Sequence, residues 1–217
     1  MPKNSQADIV FVSQGNGNVG KYKADGVTVK ADFVATPENS GLLESGGILY
    51  VPNIDTVSDQ DVVATYNAKT GALINLNFLA YPVGANYLPA EMALSGSNLY
   101  VANYGENSIA MIDVTTGVGN TDFIPQGGAN PLGNPYALAI KGNVLYVSNN
   151  YVNSNSDVYI STYDATTGHQ INGNFIQIAT GGLYGSGGEE QPPLCVDLQR
   201  KPFEGRRIQC HHGSTDQ

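Results

Sequence analysis

Apolar positions along this chain recur at a period of two in short runs, with no helical spacing of useful length. Leu99-Tyr100-Val101-Ala102 combines branched, aromatic and small residues, which suit alternate faces of a strand. A polar turn from Tyr104 to Ser108 follows, then a second apolar run from Ile109 to Val114. Thr116-Gly117 ends that run, and a short apolar stretch around Phe123 closes the unit. Ahead of it, Glu91-Met92-Ala93-Leu94 leads into a Ser95-Gly96 turn. The pattern predicts four antiparallel strands in about 45 residues.

The same pattern occurs four times. Ile9–Phe33 contains VFVSQ, Ile48–Phe78 contains LYVPN, Asn98–Phe123 contains LYVAN and Val144–Phe175 contains LYVSNN. The turn glycines Gly26, Gly71, Gly117 and Gly168 keep phase with the closing phenylalanines Phe33, Phe78, Phe123 and Phe175. A four-stranded sheet of this size cannot bury both faces alone and must pack on its neighbours. The reading is therefore an all-β chain, a β-propeller of about four recognisable four-stranded blades in an arc that need not close. A β-sandwich with accidental periodicity and a β-solenoid are the alternatives. Residues 1–180 form the repeat region, with blades near 7–35, 42–80, 90–125 and 135–180. The first copy starts at its second strand. After about residue 185 the periodicity stops, and residues 181–217 are expected to be a disordered or out-of-frame tail on a fragment of a larger propeller.

The stretch LYVANYGENSIAMIDVTTG resembles the repeat of YVTN and NHL-type β-propellers. In that repeat a Tyr-Val pair, a small residue, Asn and a glycine turn precede a strand ending in Asp and a Thr-Gly turn. The resemblance covers roughly residues 7–180 and implies the blade fold; its implication for chemistry is weak. Proteins of this kind are often bacterial envelope proteins, which implies an extracellular or envelope location, although no signal peptide is visible in this chain. Related propellers include gluconolactonase-like hydrolases and streptogramin lyases, the former with a Glu/Asn/Asp set around a channel metal.

Composition narrows the partners. The chain has 217 residues, 13% of them charged, and a formal net charge of −9, so phosphate backbones are repelled and nucleic acid is not expected as a partner. No apolar run approaches the roughly 20 residues that a membrane-spanning helix needs. Both cysteines, Cys195 and Cys210, lie in the tail beside His211 and His212, at a spacing that fits no standard zinc module.

Candidate chemistry lies just after each LYV strand, at Gln14, Asn53, Asn103 and Asn149. Oxygens converging from these positions, with Glu91 adding a charge, suit Ca²⁺. The competing reading makes each amide a stabiliser of its own turn, and recurrence in every copy favours that reading. Tyr87, Tyr104, Tyr136 and Tyr151 lie in or beside loops and are candidates for a ligand-binding rim, whereas Tyr50, Tyr100 and Tyr146 fall at packing positions. Asp55, Asp59 and Asp61 alternate in the enlarged loop of the second copy without the glycine and glutamate of a Ca²⁺ loop, and read as solvated. His169 reads as an exposed turn residue. No catalytic residue is assigned. The leading function is a non-enzymatic scaffold or binding protein whose loops meet a protein or carbohydrate ligand. The alternative is a channel-metal hydrolase or lyase of the gluconolactonase or streptogramin lyase type.

Overall fold

The computed structural model describes residues 9–14, 17–36, 41–127, 132–150 and 158–178. They form four antiparallel sheets in chain order, each an up-and-down meander. The first sheet has three strands, β1 (Ile9–Ser13), β2 (Asn18–Lys23) and β3 (Thr28–Ala35). The second comprises β4 (Leu43–Ser45), β5 (Ile48–Asp55), β6 (Gln60–Asn67) and β7 (Leu73–Ala80). The third comprises β8 (Pro89–Ser95), β9 (Asn98–Asn103), β10 (Ser108–Asp113) and β11 (Gly119–Ile124). The fourth comprises β12 (Pro135–Lys141), β13 (Val144–Asn149), β14 (Val158–Asp164) and β15 (Gln170–Ile178). This is the β-propeller architecture that the repeats predict.

Three apolar cores lie between consecutive sheets, and strand alternation decides which residues enter them. In each LYV strand the leucine and valine point back toward the preceding sheet. Leu49 and Val51 join Val19, Phe33 and Val34 of the first sheet. Leu99 and Val101 join Tyr50, Val63 and Leu79 of the second, and Leu145 and Val147 join Tyr100, Ile109 and Ile124 of the third. The tyrosine between them points forward and meets the closing phenylalanine of its own sheet. Tyr50–Phe78, Tyr100–Phe123 and Tyr146–Phe175 ring centroids are 5.5, 5.9 and 5.7 Å apart, and Phe11–Phe33 repeats the contact at 5.6 Å. One aliphatic side chain so buried contributes about 1.5–3 kcal/mol, so the stack is held by face-to-face burial.

Hydrogen bonds reinforce these junctions. The Tyr100 hydroxyl donates to the Ala165 carbonyl of the next sheet at 2.7 Å. The first sheet has Phe11 in the tyrosine position and so lacks that hydroxyl. Its cross-strand partner Lys21 supplies the donor instead, giving Nζ bonds of 2.9 and 3.2 Å to the Ala68 and Lys69 carbonyls. The Lys21 ammonium also lies over the Phe11 and Phe33 rings, 5.5 and 4.5 Å from their centroids, within cation–π range.

Candidate functional site

The two ends of the stack are built differently. The lower end carries the tight turns between first and second strands and between third and fourth strands. The upper end carries the loops between second and third strands and the linkers from one sheet to the next. Among the described residues, the candidate ligands Gln14, Asn53, Asn103, Asn149 and Glu91 and the candidate rim residues Tyr87, Tyr104 and Tyr136 belong to the upper half.

The recurring amides are committed to their own sheets. Each outer ladder contains a register shift, between Val19 and Lys21, Val63 and Thr65, Ile109 and Met111, and Ile160 and Thr162. Such a bulge leaves a carbonyl outside the regular ladder, and the amide one strand further in reaches across toward it. Gln14 Nε2 donates to the Ala31 carbonyl at 3.0 Å, and Asn103 Nδ2 to the Thr121 carbonyl at 3.2 Å. Asn149 Nδ2 donates to Ser161 Oγ at 3.1 Å, and that hydroxyl relays to the Gly173 carbonyl at 2.7 Å. In the second sheet Asn53 Nδ2 meets the Tyr66 hydroxyl at 3.3 Å, and Thr65 reaches the Asn75 carbonyl.

The side-chain oxygens that a cation would need are used unevenly. Asn53 Oδ1 accepts from the Ile54 amide and Asn149 Oδ1 from the Gly133 amide. Asn103 Oδ1 is buried without a partner, and the Tyr81 hydroxyl at the same junction has the Asn103 side chain beside it. Burial first, and the Asp61 charge second, push the Tyr81 hydroxyl well above the usual tyrosine range. Asp61 is itself buried on β6 and accepts the Leu88 amide at 3.0 Å, so it braces the linker into the third sheet. It is not part of a solvated acidic loop. Asp55 instead binds Ser58 and the Val57 amide in its own loop, and Asp59 adopts φ 53°. The three acids do not act as one group.

Glu91 stands alone on the innermost strand β8. Its carboxyl carbon lies 3.1 Å from the position a side chain would take at Gly41, which faces it from the linker just ahead of β4. Burial raises its affinity for a proton, opposed by the Met92 amide. Among the described residues, no three His, Cys, Asp or Glu side chains gather as a metal site would require.

The tyrosines divide. Tyr87 is buried in the core between the second and third sheets and stacks on Tyr81 with centroids 4.4 Å apart, so its ring does not line an open rim. Tyr104 and Tyr136 are partly exposed and meet edge to face at 6.4 Å. Asn134 fixes that pair: its Nδ2 donates to the Tyr104 carbonyl at 3.1 Å and its own amide donates to Asn107 Oδ1. Asn107 and Asn134 both have left-handed backbones, with φ of 53° and 47°, which asparagine tolerates better than most residues. Tyr151, Cys195, Cys210, His211 and His212 lie outside the described residues. His169 is exposed in its turn. Sequence reasoning missed Asp61 and Lys21 as ties between sheets. The departure of Phe11 from Tyr at the repeat's aromatic position was the available signal for Lys21.

No protein-family model matches the chain, and no curated protein matches it in sequence. Solved structures do resemble it. A chain of the nidogen/laminin complex is 14% identical with a TM-score of 0.53, over 76% of this chain and 58% of that one. A chain of hydrazine synthase from Kuenenia stuttgartiensis is 20% identical with a TM-score of 0.57, over 76% and 45%. This chain thus spans about half the length of either neighbour. At such identities the likeness is one of fold. The shared fold is the β-propeller, found in one neighbour solved with a protein partner and in another that belongs to an enzyme.

Proposed function

We propose that this chain is a non-enzymatic binding propeller of the YVTN/NHL repeat type, placed outside the cell or in its envelope, that holds a carbohydrate or protein ligand on its upper loops. The observation that carries the reading is the Tyr104–Tyr136 pair. Two partly exposed aromatic rings are set at right angles and pinned by Asn107 and Asn134, while the neighbouring amides are spent inside the sheets. Rigid aromatic rings offer large contact area at low entropic cost, which suits sugar faces and peptide side chains. The nidogen/laminin neighbour supports a propeller used for protein binding.

Screening the full chain on a glycan array and titrating hits by calorimetry tests the reading. Replacing Tyr104 and Tyr136 together by Ala should weaken binding of any hit at least tenfold while leaving the melting temperature nearly unchanged. Retained affinity in that variant would move the site elsewhere.

Two observations favour the hydrolase or lyase alternative. Glu91 is a desolvated carboxyl on an innermost strand, and Asn103 Oδ1 lacks a partner in the same sheet. Calorimetry with Ca²⁺ and a lactone hydrolysis assay decide between the two. Tight Ca²⁺ binding lost in Glu91→Gln, together with turnover, would replace the binding reading.

A further inference from the structure

We propose that the Tyr104–Tyr136 pair receives a basic side chain, so that the upper loops dock an arginine- or lysine-bearing segment of a protein partner. This rests on the binding reading above and names the chemistry of its ligand. The charged residues of the chain are sorted by end. Every Lys and His among the described residues lies in the lower half. Lys69 and His169 are in lower turns, Lys23 and Lys141 end the strands that enter them, and Lys21 and Lys30 pair across β2 and β3. The segments that join strands at the upper end, 14–17, 36–42, 56–59, 81–88, 104–107, 125–134 and 150–157, contain no Lys, Arg or His in the sequence. Their charged residues are all acidic, Asp59 and Glu106 among those described, and Asp55, Asp61 and Glu91 stand on strands near them. A cationic partner is attracted to such an end and an anionic one is turned away.

The molecule itself shows how two rings hold an ammonium. At the first junction Lys21 Nζ lies over Phe11 and Phe33, whose centroids are 5.6 Å apart, while it donates to the Ala68 and Lys69 carbonyls. Tyr104 and Tyr136 are spaced comparably, at 6.4 Å, but stand at 88° to each other and are partly exposed. No Lys, Arg or His among the described residues lies at this end to occupy them. Neither ring belongs to the cores between sheets, unlike Tyr87 and Tyr100. Tyr104 follows β9 and Tyr136 lies on β12, so the third and fourth sheets set the pair between them. Asn107 and Asn134 hold that setting before a ligand arrives, so little freedom is lost on binding. Glu106 is partly exposed in the same loop, two residues after Tyr104 and next to Asn107. A guanidinium or ammonium laid on a ring face gains cation–π attraction and meets an acidic loop. A neutral sugar would use the rings and leave the carboxylates without a counterpart.

The test is calorimetry of the full chain against synthetic peptides that alternate Gly with Arg, Lys or Gln, with choline chloride as a further probe. The Arg and Lys peptides should bind, and the Gln peptide should not. Replacing Tyr104 and Tyr136 together by Leu keeps apolar bulk and every charge, and should weaken the Arg peptide by about tenfold or more through loss of the ring faces. Either single Leu variant replaces the double one should the latter lose its circular dichroism. Glu106→Gln should weaken the Arg peptide measurably. Asp113→Asn makes the same charge change at the lower end and should leave the affinity within about twofold of the wild type. Equal binding of the Gln peptide would overturn the proposal. So would an Arg-peptide affinity that survives loss of both rings, since the attraction would then be only the diffuse field of an acidic chain. Choline binding tighter than the Arg peptide would overturn the assignment to a protein segment. Failure of the wider binding reading is separable. A neutral glycan that needs both rings, with no binding of the Arg peptide, would remove this proposal and keep that reading; no ligand of either kind would remove both.

Discussion

The lower and upper ends of the stack teach different things about a repeat. At the lower end one device recurs. Asn67, Asp113 and Asp164 occupy the same turn position, and each Oδ1 accepts two main-chain amides: Lys69 and Thr70 at 2.9 Å, Thr115 and Thr116 at 2.8 Å, Thr166 and Thr167 at 2.9 and 2.8 Å. The glycine that follows closes each turn with φ between 72° and 76°. At the upper end the described loops share backbone conformations, at Asp59 and Asn107 (φ 53°) and at Leu88 and Asn134 (φ 46° and 47°), but the side chains that hold them differ. Asp55 folds one loop on itself, Asp61 anchors the next linker, and Asn107 grips Asn134 to set the Tyr104–Tyr136 pair. What repeats maintains the sheet; what departs from the repeat is free to carry a specific task.

The largest expected effect sharpens the lower end. Gly71 and Gly117 have nearly the same backbone, φ 76° and 72°, yet only Gly71 lies against the Phe33 carbonyl. Gly117→Ala should cost about 1–2 kcal/mol, the penalty of a left-handed non-glycine residue. Gly71→Ala pays that penalty and must also push two sheets apart, so its loss should exceed about 2 kcal/mol. Denaturant unfolding of both variants measures the gap, and equal losses would show that the turn does not bear on the preceding sheet.

A smaller effect of opposite sign is expected at the upper end. Burial raises the proton affinity of Glu91, so its ionised form opposes folding. At pH well below the ordinary carboxylate value the group is protonated in both states and costs nothing. As pH rises, the unfolded chain ionises first, and the penalty grows until the raised folded value is passed. Glu91→Gln should therefore melt higher than the wild type at pH 7, with the gap closing by about pH 4. A wild type more stable than Glu91→Gln at pH 7 would point to a cation or donor holding the carboxylate.

The fold was legible because the information lies in periodicity. Alternation within Leu99-Tyr100-Val101 sends Leu and Val backward and Tyr forward, and the phase of Gly26, Gly71, Gly117 and Gly168 marks the turns. The site was less legible, because it depends on which blades meet. Tyr87 and Tyr104 look alike in sequence, yet Tyr81, from the same linker as Tyr87, folds back to cover Tyr87 and leaves Tyr104 partly open. The amides show a similar limit. Their recurrence marked them as structural, but Gln14 and Asn103 reach bulge carbonyls on the outermost strand, and register shifts in a ladder leave no mark in composition.

The smallest expected effect returns to the lower end and has the reverse pH dependence of Glu91. The Ser97 hydroxyl, 2.6 Å from Asp113 Oδ2, and then Thr115 and the Thr116 amide hold the Asp113 carboxyl well below the ordinary carboxylate range. A lowered folded value means that the ionised form favours folding. That contribution is complete above the unfolded value and is lost as pH falls toward the folded one. Asn67 shows that an amide oxygen can fill the same turn position in the second sheet. Asp113→Asn should therefore keep the turn and lose only the charge-assisted part of these bonds, a part weakened by solvent at this partly exposed turn. The wild type should melt slightly higher than Asp113→Asn above about pH 5, and the two curves should converge as pH falls below about 4. Thermal melts of both proteins across this range make the comparison. A difference that persists unchanged into acid would mean that the carboxylate acts through shape alone.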